Sequence, residues 1–204
     1  MTTRADLQAA VTGWVNRKNS TDFAQAFPSL LTLAEERIAT SVRARSMVVR
    51  ATYPVSGQYV PLPCDWLEFL DVRVQGKPYP LPLKARLDPV SLVGGGPSAY
   101  RLVDGQMEVL PAIDPASTNP PILEIAYYAA PVPLVLDTDT NALLDAHPSV
   151  YQFITTMFAS LWIEDAELLT QFNDLAASAV AQANEWQNTS RWSGGRLNST
   201  ARCF

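Results

Sequence analysis

Tyr100-Arg101-Leu102-Val103-Asp104-Gly105-Gln106-Met107-Glu108-Val109-Leu110 is the stretch on which the fold turns. Two short runs of branched, aromatic and long apolar residues flank Asp104-Gly105-Gln106, and a glycine turn between such runs predicts an antiparallel hairpin. The same character persists outward from it. Ile122 to Ala129 reads as a strand, and Phe69 to Val74 alternates until Gln75-Gly76-Lys77-Pro78 turns the chain. Val48 to Tyr53 and Gln58-Tyr59-Val60 flank Pro54 to Gly57, which predicts another hairpin. Leu87 to Val93 reads as a single helical turn before Gly94-Gly95-Gly96. Of 16 prolines, 14 lie from Pro54 to Pro133, a density that loops and strand ends accept and helix interiors do not.

On either side of this region the apolar period lengthens to that of helices. Thr3 and Asp6 fit a capping box, and Leu7, Ala10, Val11, Trp14 and Val15 share one face of a first helix. Asn19-Ser20-Thr21-Asp22 breaks it, and Pro28, a favoured first-turn residue, is the expected start of a second. That helix would bury Leu30, Leu31, Leu33, Ala34, Ile38 and Val42 and wet Glu35, Glu36, Arg37, Arg43 and Arg45. Helices return at His147-Pro148 with Val150, Phe153, Ile154, Met157, Phe158, Leu161 and Trp162. After a break near Glu164-Asp165 a last helix carries Leu168, Leu169, Phe172, Leu175, Ala176, Ala179, Val180, Ala183 and Trp186. Its alanines suit close approach of a neighbouring helix, in the same subunit or the next. From Gln187 onward no period survives.

The order predicts an α+β chain: an α-helical bundle from N- and C-terminal helices, an inserted antiparallel β subdomain, and an extended C-terminal tail. The expected divisions are 1–46, 47–134, 135–187 and 188–204. A length of 204 residues suits one domain carrying such an insert. Val150 to Ile163, the most apolar stretch, is broken by Gln152, Thr155, Thr156 and Ser160 and is shorter than the roughly 20 residues of a membrane span. The start has no apolar run of a secretory signal, so a soluble protein without membrane contact is expected. Cys64 and Cys203 form no metal or redox spacing and read as free thiols.

The net charge of −5 conceals an asymmetry. Residues 102–190 hold 12 acids and no Lys or Arg, whereas residues 1–101 hold 12 basic residues against 8 acids. A segment without cations relies on solvent, on the rest of the chain or on a partner. Asp137, Asp139, Asp145 and Glu164 are therefore candidates for an acidic face turned to solvent or to a partner. With an acidic pI of about 4.8 and scattered basic residues, the chain is not patterned to grip nucleic acid.

The residues offer no catalytic, metal or cofactor site. The one histidine, His147, precedes a proline at a helix start, which suits capping and surface packing. No Ser or Cys sits in a nucleophile elbow, and Gly94-Gly95-Gly96-Pro97 lacks the Lys-Ser/Thr of a phosphate loop. Acid pairs such as Glu35/Glu36 read as helix-surface charge. The C-terminal end is more pointed: Arg191, Trp192, Arg196, Arg202 and Phe204 are of the types that dominate interface hot spots, and form a candidate docking tail.

Several stretches, in order, resemble the phage head-to-tail adaptor family, the group of head-completion proteins that includes podovirus tail tubular protein A. Leu33-Ala34-Glu35-Glu36-Arg37-Ile38 and Val42 to Met47 resemble the family's passage from helix to strand. Val60-Pro61-Leu62-Pro63-Cys64-Asp65-Trp66-Leu67-Glu68 resembles its "LPxDFLE" turn, with Trp in place of Phe. Gly96-Pro97 to Tyr100, Gly105 and Leu110-Pro111-Ala112-Ile113-Asp114 resemble its central hairpin, and Leu123 to Tyr128 with Pro131 the strand after it. Asn141-Ala142-Leu143-Leu144 and Pro148-Ser149-Val150-Tyr151 resemble the entry to its long C-terminal helices. The coverage is roughly residues 30–175; beyond Asn188 nothing matches.

The resemblance implies a non-enzymatic virion protein without cofactor, located in the neck between capsid portal and tail and assembled in the host cytoplasm. It implies a homo-oligomeric, dodecameric ring that binds the portal protein through its C-terminal tails and offers a platform to a tail nozzle or tail tube protein. Genomic double-stranded DNA would pass through unbound in packaging and ejection. Two rival readings stand beside it. Tyr53, Tyr59, Tyr79 and Tyr100 could serve a ligand- or protein-binding β module on a helical scaffold, and His147 with Glu124 an enzyme of unrecognised type.

Overall fold

The computed structural model describes residues 2–16, 20–84, 96–111 and 120–192, with side chains up to residue 185. The first helix, α1 (Arg4–Trp14), starts as its capping box dictates: the Asp6 N–H donates to the Thr3 hydroxyl and the Thr3 N–H to the Asp6 carboxylate at 3.0 Å. Those bonds from Thr3, backbone first, hold the Asp6 carboxyl below its ordinary range.

The second helix corrects the expected start. It runs as α2 (Thr21–Ser41), capped by the Ser20 hydroxyl accepting from the Phe23 N–H at 3.2 Å, with Pro28 inside it. A proline there forfeits the hydrogen bond to the carbonyl four residues back. Phe23 and Phe27, fully buried and lying before Pro28, supply the packing that offsets the loss. Leu33, expected inside, is half-exposed, while Glu35, expected wet, is partly buried. A 3-10 turn (Arg45–Met47) ends this segment.

Among the described residues six strands follow: β1 (Val48–Pro54), β2 (Tyr59–Pro61), β3 (Trp66–Val74), β4 (Ala99–Val103), β5 (Gln106–Leu110) and β6 (Ile122–Ala129). They make two antiparallel three-stranded sheets, ordered β1-β6-β3 and β2-β5-β4. The central β4–β5 hairpin is as expected, with Asp104 and Gly105 both at positive φ, the turn geometry that suits strand twist. The expected β1–β2 hairpin does not form. β1 pairs along its whole length with β6, and β2 pairs with β5, so the chain between them changes sheets. The longer ladder wins: seven β1 residues face β6, from Val48 opposite Tyr128 to Pro54 opposite Ile122. The helical turn expected at Leu87 to Val93 lies outside the described residues.

A short helix missed in the sequence, α3 (Ala142–Ala146), precedes α4 (Pro148–Trp162) and α5 (Ala166–Trp192). The backbone of α5 continues past Asn188, the expected start of the tail, so Arg191 and Trp192 belong to its last turn. Between α4 and α5, Glu164 takes a left-handed conformation at φ 59°. The N–H groups of Glu164 and Asp165 donate back to the carbonyls of Leu161 and Ser160, a closure that glycine makes most easily. Glu164→Gly is therefore expected to raise stability by about 0.5–1 kcal/mol, read as a shift in the urea midpoint with unchanged slope.

The chain thus folds as α+β in two units, one of Met1–Met47 with Pro131–Phe204 and one of Val48–Ala130. The helical unit is centred on Leu7, Val11, Phe23, Phe27, Leu31, Ile38, Leu143, Tyr151 and Ile154. In the strand unit the two sheets enclose Val60, Val72, Val74, Met107, Val109, Leu123, Ile125 and Tyr127. No helix among the described residues is long and apolar enough to cross a membrane.

Candidate interaction surfaces

The candidate acids do not gather on one face. Asp137, Asp139 and Asp145 meet at the N-terminus of α1. The N–H groups of Arg4 and Ala5 donate to the carbonyls of Asp139 and Asp137 at 2.9 and 3.1 Å, and the Thr2 N–H to the Asp145 carboxylate at 3.2 Å. The Arg4 guanidinium pairs with the Asp137 carboxylate and lies over the Phe27 ring. Acids at this end satisfy free N–H groups and oppose the positive end of the helix dipole. Glu164 instead lines a shallow hollow with Val15 and Asn16, just past the C-terminal end of α1. Eleven helical residues, about 16 Å at 1.5 Å each, separate the two ends.

The segment that carries two of these acids, residues 131–140, is held from three sides. The Leu134 N–H donates to the Glu35 carboxylate at 2.9 Å, and the Val135 and Leu136 N–H groups to the Asp139 carboxylate at 2.9 and 2.7 Å. Asn141 caps α3 by accepting from the Leu144 N–H at 2.8 Å, and its amide donates to the Val132 carbonyl and the Tyr151 hydroxyl, each at 2.8 Å. Burial pushes the Glu35 carboxyl up from its usual range, against the Leu134 N–H that favours its charge. Burial likewise pushes the Tyr151 phenol up. This scaffold leaves Val132, Val135 and Leu136 outside, at 69, 72 and 64% exposure. The sequence reading missed them: in Pro131-Val132-Pro133-Leu134-Val135-Leu136 an apolar run between prolines looks like a strand end.

A second surface lies between α2, α4 and α5. It is a groove of about 290 Å³ lined by Ile154, Met157, Ala176, Val180 and Ala181, with Arg37 on its rim. The three α5 alanines of the expected apolar stripe all turn inward, and other alanines of the helix face this groove. Ala176, Ala179 and Ala183 are buried, while Ala177 and Ala181 remain exposed along the groove.

The strand unit carries a cleft of about 620 Å³ on the β1-β6-β3 sheet, lined by Arg50, Thr52, Asp71, Arg73 and Glu124 among apolar side chains such as Val48 and Leu70, with Arg73 paired to Asp71. The tyrosines do not form one platform. Tyr59 and Tyr79 are exposed, Tyr53 packs beside the core, and Tyr100 is buried within it. Tyr127, also in the core, has its phenol pushed up to about 12, by burial first and then by Asp65, whose carboxylate accepts its hydroxyl at 3.2 Å. Buried Glu108 accepts from Arg101 and Gln58, which neutralises it inside the sheet.

His147 ends α3 and begins α4, and its side chain makes no capping bond at the start of α4, contrary to the capping expected of it. Among the described residues no three His, Cys, Asp or Glu side chains come together as metal ligands would. Cys64 is a free, exposed thiol. Of the docking tail, the side chains of Arg191 and Trp192 and the whole of Arg196, Arg202 and Phe204 lie outside the described residues. No curated protein matches the chain. A family model does, over residues 2–200, and its description is SU10 adaptor protein.

Proposed function

We propose that this chain, which belongs to the SU10 adaptor protein family of phage structural adaptors, works as a homo-oligomeric ring that binds the portal and continues the DNA channel towards the tail. The observation that carries the reading is the family match across nearly the whole chain, in both the helical and the strand unit. The family places the protein in the virion neck. A dodecameric ring, kinship with podovirus tail tubular protein A, and attachment of a tail nozzle or tail tube protein belong to the same reading.

The C-terminal segment, with Arg191, Trp192, Arg196, Arg202 and Phe204, is the part that grasps the portal. Guanidinium groups and aromatic rings on one short segment give the charge-assisted and apolar anchors that concentrate binding energy. Asp137, with Arg4 paired to it, Asp139 and Asp145 contribute to an acidic channel or ring face, whose excess negative charge gives passing DNA little to adhere to. Glu164, at the other end of α1, would belong to a separate part of the ring surface.

Truncation after Gln187 tests the docking role. The full chain should co-sediment with its cognate portal, the truncated chain should lose affinity by roughly 100-fold or more, and Trp192→Ala should lose about ten-fold or more. Virions lacking the protein should neither retain DNA nor carry tails. A purified chain that ignores its portal, with virions complete in its absence, removes the reading.

A further inference from the structure

We propose that segment 132–139 is a plug, and the groove between α2, α4 and α5 its socket, in a head-to-tail contact between copies of this chain. The inference rests on the ring assembly proposed above and assigns its subunit contact.

Among the described residues, Val132, Val135 and Leu136 are the most exposed large aliphatic residues of the helical unit. Buried Leu134 anchors the segment between them. The Glu35 and Asp139 carboxylates and the Asn141 amide hold its backbone. Three aliphatic side chains presented on a backbone fixed by four hydrogen bonds are pre-organised, so docking them orders little that is still free.

Charge selects the occupant. The plug carries Asp137, whose carboxylate stays largely exposed although Arg4 pairs with it, and Asp139, and lies in a stretch, residues 102–190, with no Lys or Arg. The socket is mostly apolar, with Ser41 and Asn173 among its lining, and Arg37 is its one ionisable side chain. An acidic, aliphatic plug and an Arg-rimmed, alanine-floored socket complement each other, and both occur on every copy.

Their placement decides the symmetry. Both surfaces border α2, whose buried stripe runs through Leu31, Ala34 and Ile38. Glu35, which holds the plug, and Arg37, which rims the socket, are two residues apart, about 200° around the helix. Plug and socket therefore flank the buried stripe of α2 on opposite sides. A surface that meets a different surface on the next copy makes a heterologous contact, which propagates and closes into a ring when the rotation allows.

Two variants and their mixture test this by sedimentation velocity, with the full chain alone and bound to portal. Val135→Asp with Leu136→Asp spoils the plug, and Ala177→Trp fills the socket; both sets of sites are exposed, and melting curves verify that each variant folds. Wild type should assemble beyond the dimer, and each variant should remain monomeric, its association weakened by roughly ten-fold or more. The equimolar mixture should stop at a heterodimer, because one good plug and one good socket remain. Variants that assemble like wild type, a mixture that stays monomeric, or a wild type monomeric both alone and on portal would each overturn the contact. Variants that assemble while wild type binds portal refute the contact and leave the adaptor reading intact. Variants that fail to assemble while wild type ignores portal do the reverse.

Discussion

Asn141→Ala should cost about 3 kcal/mol of stability and loosen segment 131–141 before the helices unfold. The side chain serves three partners at once: the Leu144 N–H, the Val132 carbonyl and the Tyr151 hydroxyl. Losing the cap alone costs about 1 kcal/mol. Tyr151 is fully buried, so its hydroxyl cannot turn to water, and stranding such a group adds about 1–3 kcal/mol. Urea titration should show the loss, and hydrogen exchange should show the Leu134 and Leu144 amides opening first. Tyr151→Phe should cost about 1 kcal/mol, and the double variant less than the sum, since both changes break one bond. A cost below 1 kcal/mol for Asn141→Ala would mean the segment is held some other way.

The second large effect lies at the start of α2, where two neighbouring substitutions should act in opposite directions. Phe27 is fully buried, with Arg4 over its ring, and Phe27→Ala should destabilise by about 3–5 kcal/mol. Pro28 is exposed and inside the helix, and Pro28→Ala restores the missing N–H, with an expected gain of about 1–3 kcal/mol. A helix beginning at Pro28 gives the opposite pattern, with little loss at Phe27 and no gain at Pro28. Chemical denaturation of both variants separates the two geometries.

That contrast shows how much of the fold was legible. The capping box at Thr3 and the Asp-Gly turn at Asp104 are local signals, and the structure follows them. The start of α2 was misread because a proline suits a first turn, whereas burial of Phe23 and Phe27 is decided by tertiary packing. The absent β1–β2 hairpin has the same origin. Pro54 to Gly57 looks like a turn, but partner choice follows the longer ladder available from β6, some 70 residues away in sequence. The acids were legible as a charge pattern, yet the sequence does not place the α1 N-terminus beside three of them and leave Glu164 at the other end. The exposed Val132, Val135 and Leu136 escaped notice because an apolar run reads as buried until its backbone partners are known.

The register of β1 with β6 has a consequence for how such a chain can change. Val48 opens the strand unit and sits directly across the ladder from Tyr128, two residues before the unit closes at Ala130. The two ends of the strand unit therefore lie side by side, as the two jambs of a single doorway. Everything between those two points can lengthen, shrink or be exchanged while the doorway keeps its width. One helical frame can in this way carry different appendages through evolutionary history, and a designer could graft a foreign cargo there without resetting the frame.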